Sequence, residues 1–452
     1  MYNKSNEVSS MYLYNVCIII LTKIITFFVR LLGKQGGALP GVIAMKLNKN
    51  IIKQFRFPGD VIVVTGTNGK TTTTNWIAHT FETAGYQVVS NKAGNNIGRG
   101  IVGTLINNCT ITGKVRGDIT ILEVDEHWVP VLFKTLPLDT FVVLNFFRDQ
   151  LDRAGEMKTL IEKLSNFLKD YNGNLVLNGN DPNVCSLALA NPDNQNIYYF
   201  GVDQYENSVS DMKEASEGRF CPVCKAKLEY DFYQYSHIGS FHCPNHDFGN
   251  VPYKKLATTL NVTKGTFKVG KTTYQIGYQN IVYIYNAMAV ITTAHLYKLS
   301  TKNVKCALKN FKIDNGRLEE VKVGSSNCII NLVKNPTGLN VTIKIMNEEI
   351  QKKELLFVLN DKVNDGFDVS WIWDVNFEDL KNVNRVICSG LRAYDAAIRI
   401  KCAGIDPKQI EVYPDLREAV DHLFETSSKK YVVANYSAIQ NVRHEINRKA
   451  GE

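Results

Sequence analysis

The segment VIVVTGTNGKTTTTN, residues 61–75, constrains the fold of this chain more than any other. The β-branched run Val61–Val64 leads into a glycine-containing loop, and Thr71–Thr83 has the residue spacing of a helix, with Gly85 as a stop signal. A strand, a glycine loop and a helix in this order form a phosphate-binding loop, because backbone N–H groups and the helix N-terminus attract phosphate oxygens. The segment therefore predicts a doubly wound α/β domain that binds ATP.

Two residues of this phosphate-binding loop have a specific expected role. The loop and the start of its helix comprise Gly66, Thr67, Asn68, Gly69, Lys70, Thr71 and Thr72. Lys70 is expected to reach the β- and γ-phosphates, and Thr71 is expected to bind Mg²⁺. The longer eight-residue motif has glycine where this chain has Val64, so the match is the shorter GxxGKT pattern in its proper context. A chance GKT in a glycine-rich turn is the competing interpretation.

A second ligand for the magnesium ion is predicted at Glu123. This residue lies near the end of the apolar run Ile119–Val124 and is followed by Asp125 and Glu126. The carboxyl ends of parallel strands meet at the edge of the sheet where nucleotides bind, so a carboxylate there can hold the cation. A solvated acidic turn is the alternative for all three carboxylates.

The remaining pattern predicts two α/β domains. Short apolar runs of the buried parallel type recur along the chain, at Tyr86–Ser90, Thr140–Asn145, Cys328–Val333, Leu355–Leu359, Val386–Ser389 and Tyr431–Ala434. We expect an N-terminal apolar helix region at 1–45, an ATP-binding domain at 46–313 and a C-terminal α/β, Rossmann-like domain at 314–452. The turn at 314–316, Asp-Asn-Gly, is the expected linker.

A cluster of cysteine and histidine predicts a zinc ribbon within the first domain, at about 204–255. Cys221 and Cys224 are separated from Cys243 and His246 by 18 residues, which is the spacing of a four-ligand structural zinc site. His242 and His237 are competing candidates for the fourth ligand, and two chance cysteine turns are the alternative to a metal site. Seven of the ten cysteines are scattered singly, as in a reduced cytoplasmic protein.

The apolar N-terminal segment 11–32 is interrupted by Asn15, Lys23 and Arg30. A helix packed on the protein body is the expected structure, with a helix lying on a membrane surface and a membrane-spanning helix as alternatives. The charge balance of 52 basic and 44 acidic residues, or +8, fits an acidic partner of several kinds. The absence of a dense Lys/Arg run near the cysteine cluster argues against nucleic acid.

Several motifs together resemble the Mur ligase family, and within it the MurT family of lipid II isoglutaminyl synthase subunits. These are GTNGKTTT, NFFRDQLDRAGE at 145–156, CPVC with CPNH, YNA at 285–287, DNGR at 314–317, NLVKNP at 331–336, and ND with DGFDVSWIWD between 360 and 374. The resemblance covers residues 40–445. It implies an enzyme that activates a carboxylate with ATP as an acyl phosphate and then amidates it with ammonia.

The resemblance also implies roles for individual residues. Asn286 matches an asparagine near the adenine, Arg317 a linker arginine facing the nucleotide, and Lys334 a phosphate-directed basic residue. Asp368 matches the aspartate that completes the catalytic triad of a GatD-like glutaminase subunit. The resemblance also implies that lipid II is the substrate of the amidation. The structural alternative for Asp368 is a carboxylate that caps a helix.

Departures from the wider ligase family keep other readings open. Gln150 stands where many relatives have histidine, and no equivalent of their modified lysine is found, since the cysteine cluster occupies that region. A stand-alone amino-acid-adding Mur or folylpolyglutamate-type ligase is the main alternative, and it would need a substrate domain before the loop. A nucleic-acid-stimulated ATPase is the third reading.

Overall fold

The structure, a computed structural model, describes residues 2–31, 37–91, 95–148, 157–211, 217–312, 317–363 and 365–451. The side chains of 2–10, 30, 246, 247 and 317 also lie outside the description. Two compact units are formed. The first holds the described residues of Met1–Phe146, Lys158–Asp211 and Gly218–Phe311, and the second holds those of Lys312–Glu452 with a few from 147–157 and 212–217.

The first unit contains a large, mostly parallel sheet. Its helices are α1 (Tyr2–Leu31), α2 (Leu39–Leu47), α3 (Lys70–Thr83), α4 (Gly98–Asn107), α5 (Val129–Leu132), α6 (Met157–Leu168), α7 (Pro182–Cys185), α8 (Ile281–Leu296) and α9 (Thr301–Asn310). Its strands are β1 (Val61–Thr65), β2 (Val88–Ser90), β3 (Ile119–Glu123), β4 (Thr140–Val143), β5 (Asn174–Asn178), β6 (Ile197–Val202), β7 (Glu229–Tyr235), β8 (Ile238–Cys243), β9 (His246–Gly249), β10 (Tyr253–Asn261), β11 (Thr266–Val269) and β12 (Thr272–Gln275).

The order of this sheet is β12-β11-β10-β6-β5-β4-β1-β3-β2. The strands from β2 to β10 in this order pair in parallel, whereas β11 and β12 add an antiparallel hairpin at one edge. All five residues of β1 and of β3 are buried, because helices cover both faces of the sheet. The centrally placed β1 therefore ends at a protected edge, where the glycine loop begins.

Three short strands form a separate antiparallel sheet, β7-β8-β9, at the position of the predicted ribbon. Its tip is docked on the main sheet. The Gly239 N–H donates to the Asn180 carbonyl at 2.9 Å, and the Asn180 side chain donates back to the Gly239 carbonyl at 2.9 Å. These two hydrogen bonds attach the ribbon to the loop after β5.

The second unit is a smaller α/β domain. It comprises β13 (Arg317–Val323), β14 (Ser326–Leu332), α10 (Pro336–Asn347), β15 (Lys353–Val358), β16 (Val383–Ser389), α11 (Ala393–Cys402), β17 (Ile410–Val412), α12 (Leu416–Leu423), β18 (Lys429–Ala434) and α13 (Ile439–Gly451). The sheet order is β13-β14-β18-β15-β16-β17, with only the β13/β14 pair antiparallel.

Both faces of this second sheet carry a core. Leu355 and Phe357 point to the side covered by α10 and α11, while Leu356 and Val358 point to the side covered by α12 and α13. This alternation follows from the two-residue period of a strand. It explains why these strands are continuous apolar runs in the sequence.

Candidate nucleotide site

The glycine loop has the backbone conformation that phosphate binding needs. Gly66 has φ +136° and Gly69 has φ +84°, a region that residues with a side chain rarely adopt. A Cβ atom at Gly69 would lie 2.7 Å from the Asn286 Oδ1 atom, and one at Gly66 would lie 3.0 Å from the Asn145 backbone. Both glycines are therefore required by close packing as well as by conformation.

Asn145, just after β4, holds the loop in place. The Thr67 N–H donates to the Asn145 carbonyl at 2.9 Å, and the Asn68 N–H donates to its Oδ1 at 2.9 Å. The Asn145 side chain donates in turn to the Asn68 carbonyl at 3.1 Å. The motif beginning at Asn145 was recognised in the sequence, but this positioning role of its first residue was not.

Lys70 begins α3 and is buried, with 7% of its surface exposed. Its Nζ lies 3.0 Å from Glu126 Oε2 and also donates to the carbonyls of Gly66 and Thr67. Burial alone would lower the pKa of Lys70, but the carboxylates of Glu126, Asp125 and Glu123 outweigh it and hold that pKa above its usual value. The lysine is therefore a fixed positive charge beneath the loop.

Glu123 is the last residue of β3, and only 3% of it is exposed. Its Oε1 accepts a hydrogen bond from Asn96 Nδ2 at 2.9 Å, while Oε2 has no hydrogen-bond partner among the described residues. Asn91 fixes its backbone through two hydrogen bonds of 2.8 Å. A buried carboxylate oxygen without a partner is costly unless a cation binds it.

This arrangement fits a divalent cation. Glu123 pairs in register with Val64 of β1, so its carboxylate lies beside the start of the glycine loop. Thr71, the magnesium ligand predicted in the loop, is the next residue after Lys70 in α3 and is half-buried, whereas Thr72 is buried. A carboxylate and a hydroxyl are oxygen ligands of the kind that Mg²⁺ takes, together with waters and substrate phosphates.

Asn286 lies in α8 and is 3% exposed. Its contact with Gly69 brings it to the loop, so the first unit gathers the predicted residues of the glycine loop, Glu123 and Asn286 at one place. Asn280 supports this by capping α8, with its Oδ1 accepting from the Val282 N–H at 2.8 Å.

The other predicted nucleotide residues belong to the second unit. Lys334 lies between β14 and α10, directly before Asn335, whose side chain caps α10 through the Gly338 N–H at 2.9 Å. The Arg317 backbone begins β13, but its side chain lies outside the described residues. Gln150, the residue that departs from the family pattern, lies outside them too.

The loop that carries Asp368 follows β15 and is exposed at its tip. The Asp368 Oδ1 accepts the Ser370 N–H at 2.8 Å, which opens the short 3-10 helix Ser370–Asp374. Hydrogen bonds from Ser370 hold the pKa of Asp368 below its usual value, so it is ionised at neutral pH. Asp368 therefore forms a local turn with Ser370 just before this helix, whose N-cap residue is Val369, and Asp368 is exposed to solvent.

The base of this loop is held by a network of polar contacts. The Ser437 N–H donates to Asp365 Oδ1 at 2.8 Å, and Asn360 Oδ1 accepts the Leu391 N–H at 2.9 Å. Trp371 packs against the core, whereas Phe367 and Trp373 are more than half exposed. The loop therefore carries an exposed carboxylate and exposed apolar side chains, and its ends are held by hydrogen bonds to Leu391 and Ser437.

Cys221, Cys224 and Cys243 come together in the ribbon, with their sulfur atoms all within 4.8 Å of one another. The Ala226 backbone N–H, followed by the neighbouring thiols, lowers the pKa of Cys224, which favours the thiolate that binds metal. The predicted fourth ligand, His246, begins β9 next to Cys243, but its side chain lies outside the described residues.

The two competing histidines have other contacts. His237 Nε2 is buried and lies 3.3 Å from Asp181 Oδ1, and His242 Nε2 lies 3.4 Å from Glu229 Oε2. Asp181 in turn accepts the Phe146 N–H at 2.9 Å, next to the Asn145 that holds the glycine loop. Both competing histidines thus have a carboxylate neighbour, and His246 as the fourth ligand stays a prediction.

Comparison with known proteins agrees with this fold. The Mur ligase middle domain matches residues 64–247, and the MurT ligase C-terminal family matches residues 332–439. Among solved structures, the pseudomurein peptide ligase type C of Methanothermus fervidus is similar with a TM-score of 0.67 and 18% identity, covering 88% of this chain and 81% of that one. MurF of Acinetobacter baumannii is similar with a TM-score of 0.63 and 13% identity, covering 92% and 81%. The protein is thus an ATP-dependent ligase of the Mur ligase class.

Relatives with curated names identify one family within the Mur ligase class. The lipid II isoglutaminyl synthase (glutamine-hydrolyzing) subunit MurT of Staphylococcus aureus strain COL is 30% identical over 93% of this chain and 94% of its own length. The subunit of the same name from Streptococcus pneumoniae strain R6 is 28% identical over 90% of this chain and 92% of its own length. The chain belongs to the MurT family.

Proposed function

We propose that this chain amidates the α-carboxylate of D-glutamate in the lipid II stem peptide, which forms D-isoglutamine. The carboxylate oxygen attacks the γ-phosphorus of ATP and releases ADP, giving an acyl phosphate. Ammonia then adds to the acyl carbon, and inorganic phosphate leaves with a proton lost from nitrogen. The names of the full-length relatives support the substrate, and the buried Lys70 beside the unpaired Glu123 oxygen carries the chemistry.

The chain's own residues supply positioning and charge. The N–H groups at the N-terminus of α3 and the Lys70 ammonium would face the phosphates, so negative charge that moves to the bridging oxygen would be neutralised where it forms. Mg²⁺ held by Glu123 and Thr71 would add a Lewis acid at the same oxygens. Asn286 would lie beside the base of the nucleotide, and the resemblance to the family alone supports a nucleotide-directed role for Arg317 and Lys334.

The ammonia would come from a GatD-like glutaminase bound at the Asp368 loop. Ammonia must arrive unprotonated and shielded from water, which a directly docked glutaminase provides. Asp368 would orient a histidine of that partner, as the carboxylate of a nucleophile–base–acid triad does. Its ionised state and exposed position between Phe367 and Trp373 support this role.

Zinc is the metal proposed for the ribbon. Three clustered thiols, together with a histidine three residues after Cys243, form a donor set that Zn²⁺ binds tetrahedrally. The metal would therefore stabilise the fold of the ribbon and would take no part in catalysis. Metal analysis of the purified chain tests this. One zinc per chain is expected, reduced in Cys243→Ser and His246→Ala, and zinc retained in His246→Ala would exclude that ligand.

The proposed place of the reaction is the cytoplasmic face of the membrane, where ATP and a lipid-linked substrate meet. The test combines the chain, a GatD-like glutaminase, lipid II, ATP and glutamine, with mass spectrometry of lipid II and measurement of ADP. Amidated lipid II is expected. Addition of an amino acid from a panel would instead favour the stand-alone ligase.

A further inference from the structure

The N-terminal helix α1 has its polar and apolar faces reversed relative to a helix of a soluble protein. Between Met11 and Leu31, every exposed side chain that the structure describes is apolar, aromatic or a thiol. One exposed stripe along the helix comprises Leu13, Ile20, Ile24, Phe27, Phe28 and Leu31. The segment Met11–Val29 has a mean hydropathy of 2.0, although only 28% of it is buried in the protein. Large contiguous apolar surfaces of this kind mark an interaction site.

The opposite face of α1 is tied to the protein by polar contacts. Asn15 donates to the Gln54 side chain at 3.3 Å and accepts from Asn48 at 2.7 Å. Lys23 Nζ donates to the Ile106 carbonyl at 2.6 Å. A membrane-spanning arrangement would have to break these contacts or carry the attached segments into the bilayer. The helix therefore lies along the surface of the first unit with its apolar stripe outward.

The charged residues near this apolar stripe indicate what kind of surface it contacts. Residues 8–59 contain seven basic residues and no aspartate or glutamate, although the whole chain has 44 acidic residues. Lys46, Lys49 and Lys53 are exposed, and Tyr14 donates to the Leu47 carbonyl at 3.1 Å, which places Lys46 beside α1. Glu7 and Asp60 border this stretch on either side. An apolar stripe flanked mainly by basic residues is the pattern of a helix at an anionic lipid surface, since acidic lipids attract lysine while acyl chains cover the apolar groups.

We infer that α1 docks this protein on an anionic membrane, with the stripe from Leu13 to Leu31 in the interface and the lysines of 46–53 at the headgroups. The stripe spans about 27 Å, long enough for a stable contact in the plane of the bilayer. The reason why docking would be useful rests on the proposed function, because a lipid-linked substrate is reached at the membrane surface. The physical basis of docking, the reversed faces and the one-sided charge, is independent of the reaction.

Sedimentation with vesicles that lack lipid II tests the inference apart from catalysis. The full-length chain should co-sediment with phosphatidylcholine vesicles that contain about a third phosphatidylglycerol, and several-fold less with phosphatidylcholine alone. The combined change Ile24→Ser, Phe27→Ser and Phe28→Ser should weaken partitioning at least about tenfold. Ile350→Ser is the matched control, because Ile350 is 90% exposed in the second unit and should change binding less than about twofold.

A variant that changes only lysines outside α1 tests the contribution of charge while the helix keeps its sequence. Lys46→Glu with Lys49→Glu and Lys53→Glu should reduce binding to the anionic vesicles and leave the weak binding to phosphatidylcholine unchanged. A chain that stays in the supernatant, or a serine variant that sediments like the original, overturns the inference. Dimerisation through α1 without vesicle binding, detected by light scattering, assigns the stripe to a second copy and also overturns it. Vesicle binding without amidation would instead refute the proposed function alone.

Discussion

Lys70 and Glu126 form a buried ion pair, with Lys70 Nζ 3.0 Å from Glu126 Oε2. The pair holds the lysine beneath the glycine loop. Phosphate oxygens that enter the loop would compete with Glu126 for the same ammonium group. The lysine is thus charged and oriented by the protein's own residues, which lowers the cost of organising the site.

Lys70→Ala should reduce ATP-dependent amidation at least about 100-fold, because one positioned donor to the developing charge is lost. Amidated lipid II and ADP are the quantities to measure, with Lys158→Ala as the control, since Lys158 is an exposed lysine. The change also leaves Glu126 buried without its partner, so the double variant Lys70→Met with Glu126→Gln should recover thermal stability but not activity. Near-normal turnover in Lys70→Ala would refute the loop assignment.

Glu123→Gln should act in opposite directions on stability and activity. Without Mg²⁺ the variant should melt at the same or a higher temperature, because a buried charge with an unpartnered oxygen is removed. The Mg²⁺-dependent rate should fall about 100-fold, since the amide is a poor ligand for the cation. Glu162→Gln, an exposed position, is the control. An unchanged dependence on Mg²⁺ concentration would remove Glu123 from the site.

Asp368→Asn separates the two halves of the proposed reaction. Asparagine can still accept the Ser370 N–H, so folding and ATP binding should be unchanged. Glutamine-dependent amidation should fall at least about 100-fold, while high ammonium concentrations restore product. Asp379→Asn, an exposed carboxylate in the same stretch, should behave like the original chain. Normal glutamine hydrolysis by the Asp368→Asn complex would refute the shared triad.

Cys243→Ser should destabilise the ribbon, because a thiolate that we propose as a zinc ligand is replaced by a weak ligand. A loss of several kcal/mol in the free energy of unfolding is expected, of the order of a structural zinc ligand, and a chelator should reproduce it. Cys402→Ser is the control, since Cys402 is an exposed single cysteine. Equal melting temperatures with and without chelator would show that the ribbon folds without metal.

Glu354 gives the second unit a defined acid sensitivity. Burial alone would raise its pKa, but hydrogen bonds from Lys430, Thr426 and Arg385 hold that pKa below the usual 4.5. This contribution to stability is fully present above pH 4.5 and is lost as the pH falls through the lowered pKa. Glu354→Gln should cost about 3 kcal/mol at neutral pH, since Lys430 stays buried without its partner, and should flatten the acid limb of the stability curve. An acid limb that is identical in the two proteins would contradict this role.

The elements that depend on local pattern were predictable from the sequence. The strand before the glycine loop, the helix after it and the parallel strands at 119, 140 and 355 follow from short apolar runs, and all of them are found within two residues of the expected position. The cysteine spacing likewise predicted three sulfurs in one place. These features are encoded in a few consecutive residues, so no tertiary information is needed.

Partners that come from distant segments were not predictable. The sequence reading treated Glu126 as part of an acidic turn, and nothing indicated that Asn145 binds the backbone of Asn68, which is 77 residues earlier. The antiparallel strands β11 and β12 were also missed, because each is only four residues long, although their Thr and aromatic residues favour strands. Side-chain roles of this kind emerge only when the sheet brings strand ends together.

The most direct test of the central claim is the reconstituted reaction of the chain with a GatD-like glutaminase, lipid II, Mg²⁺ and ATP, with glutamine or ammonium as the nitrogen source. We expect one ADP for each amide formed, loss of the glutamine-driven product in Asp368→Asn, and its recovery with ammonium. Unchanged lipid II with either nitrogen source, or a product extended by an amino acid, would contradict the account.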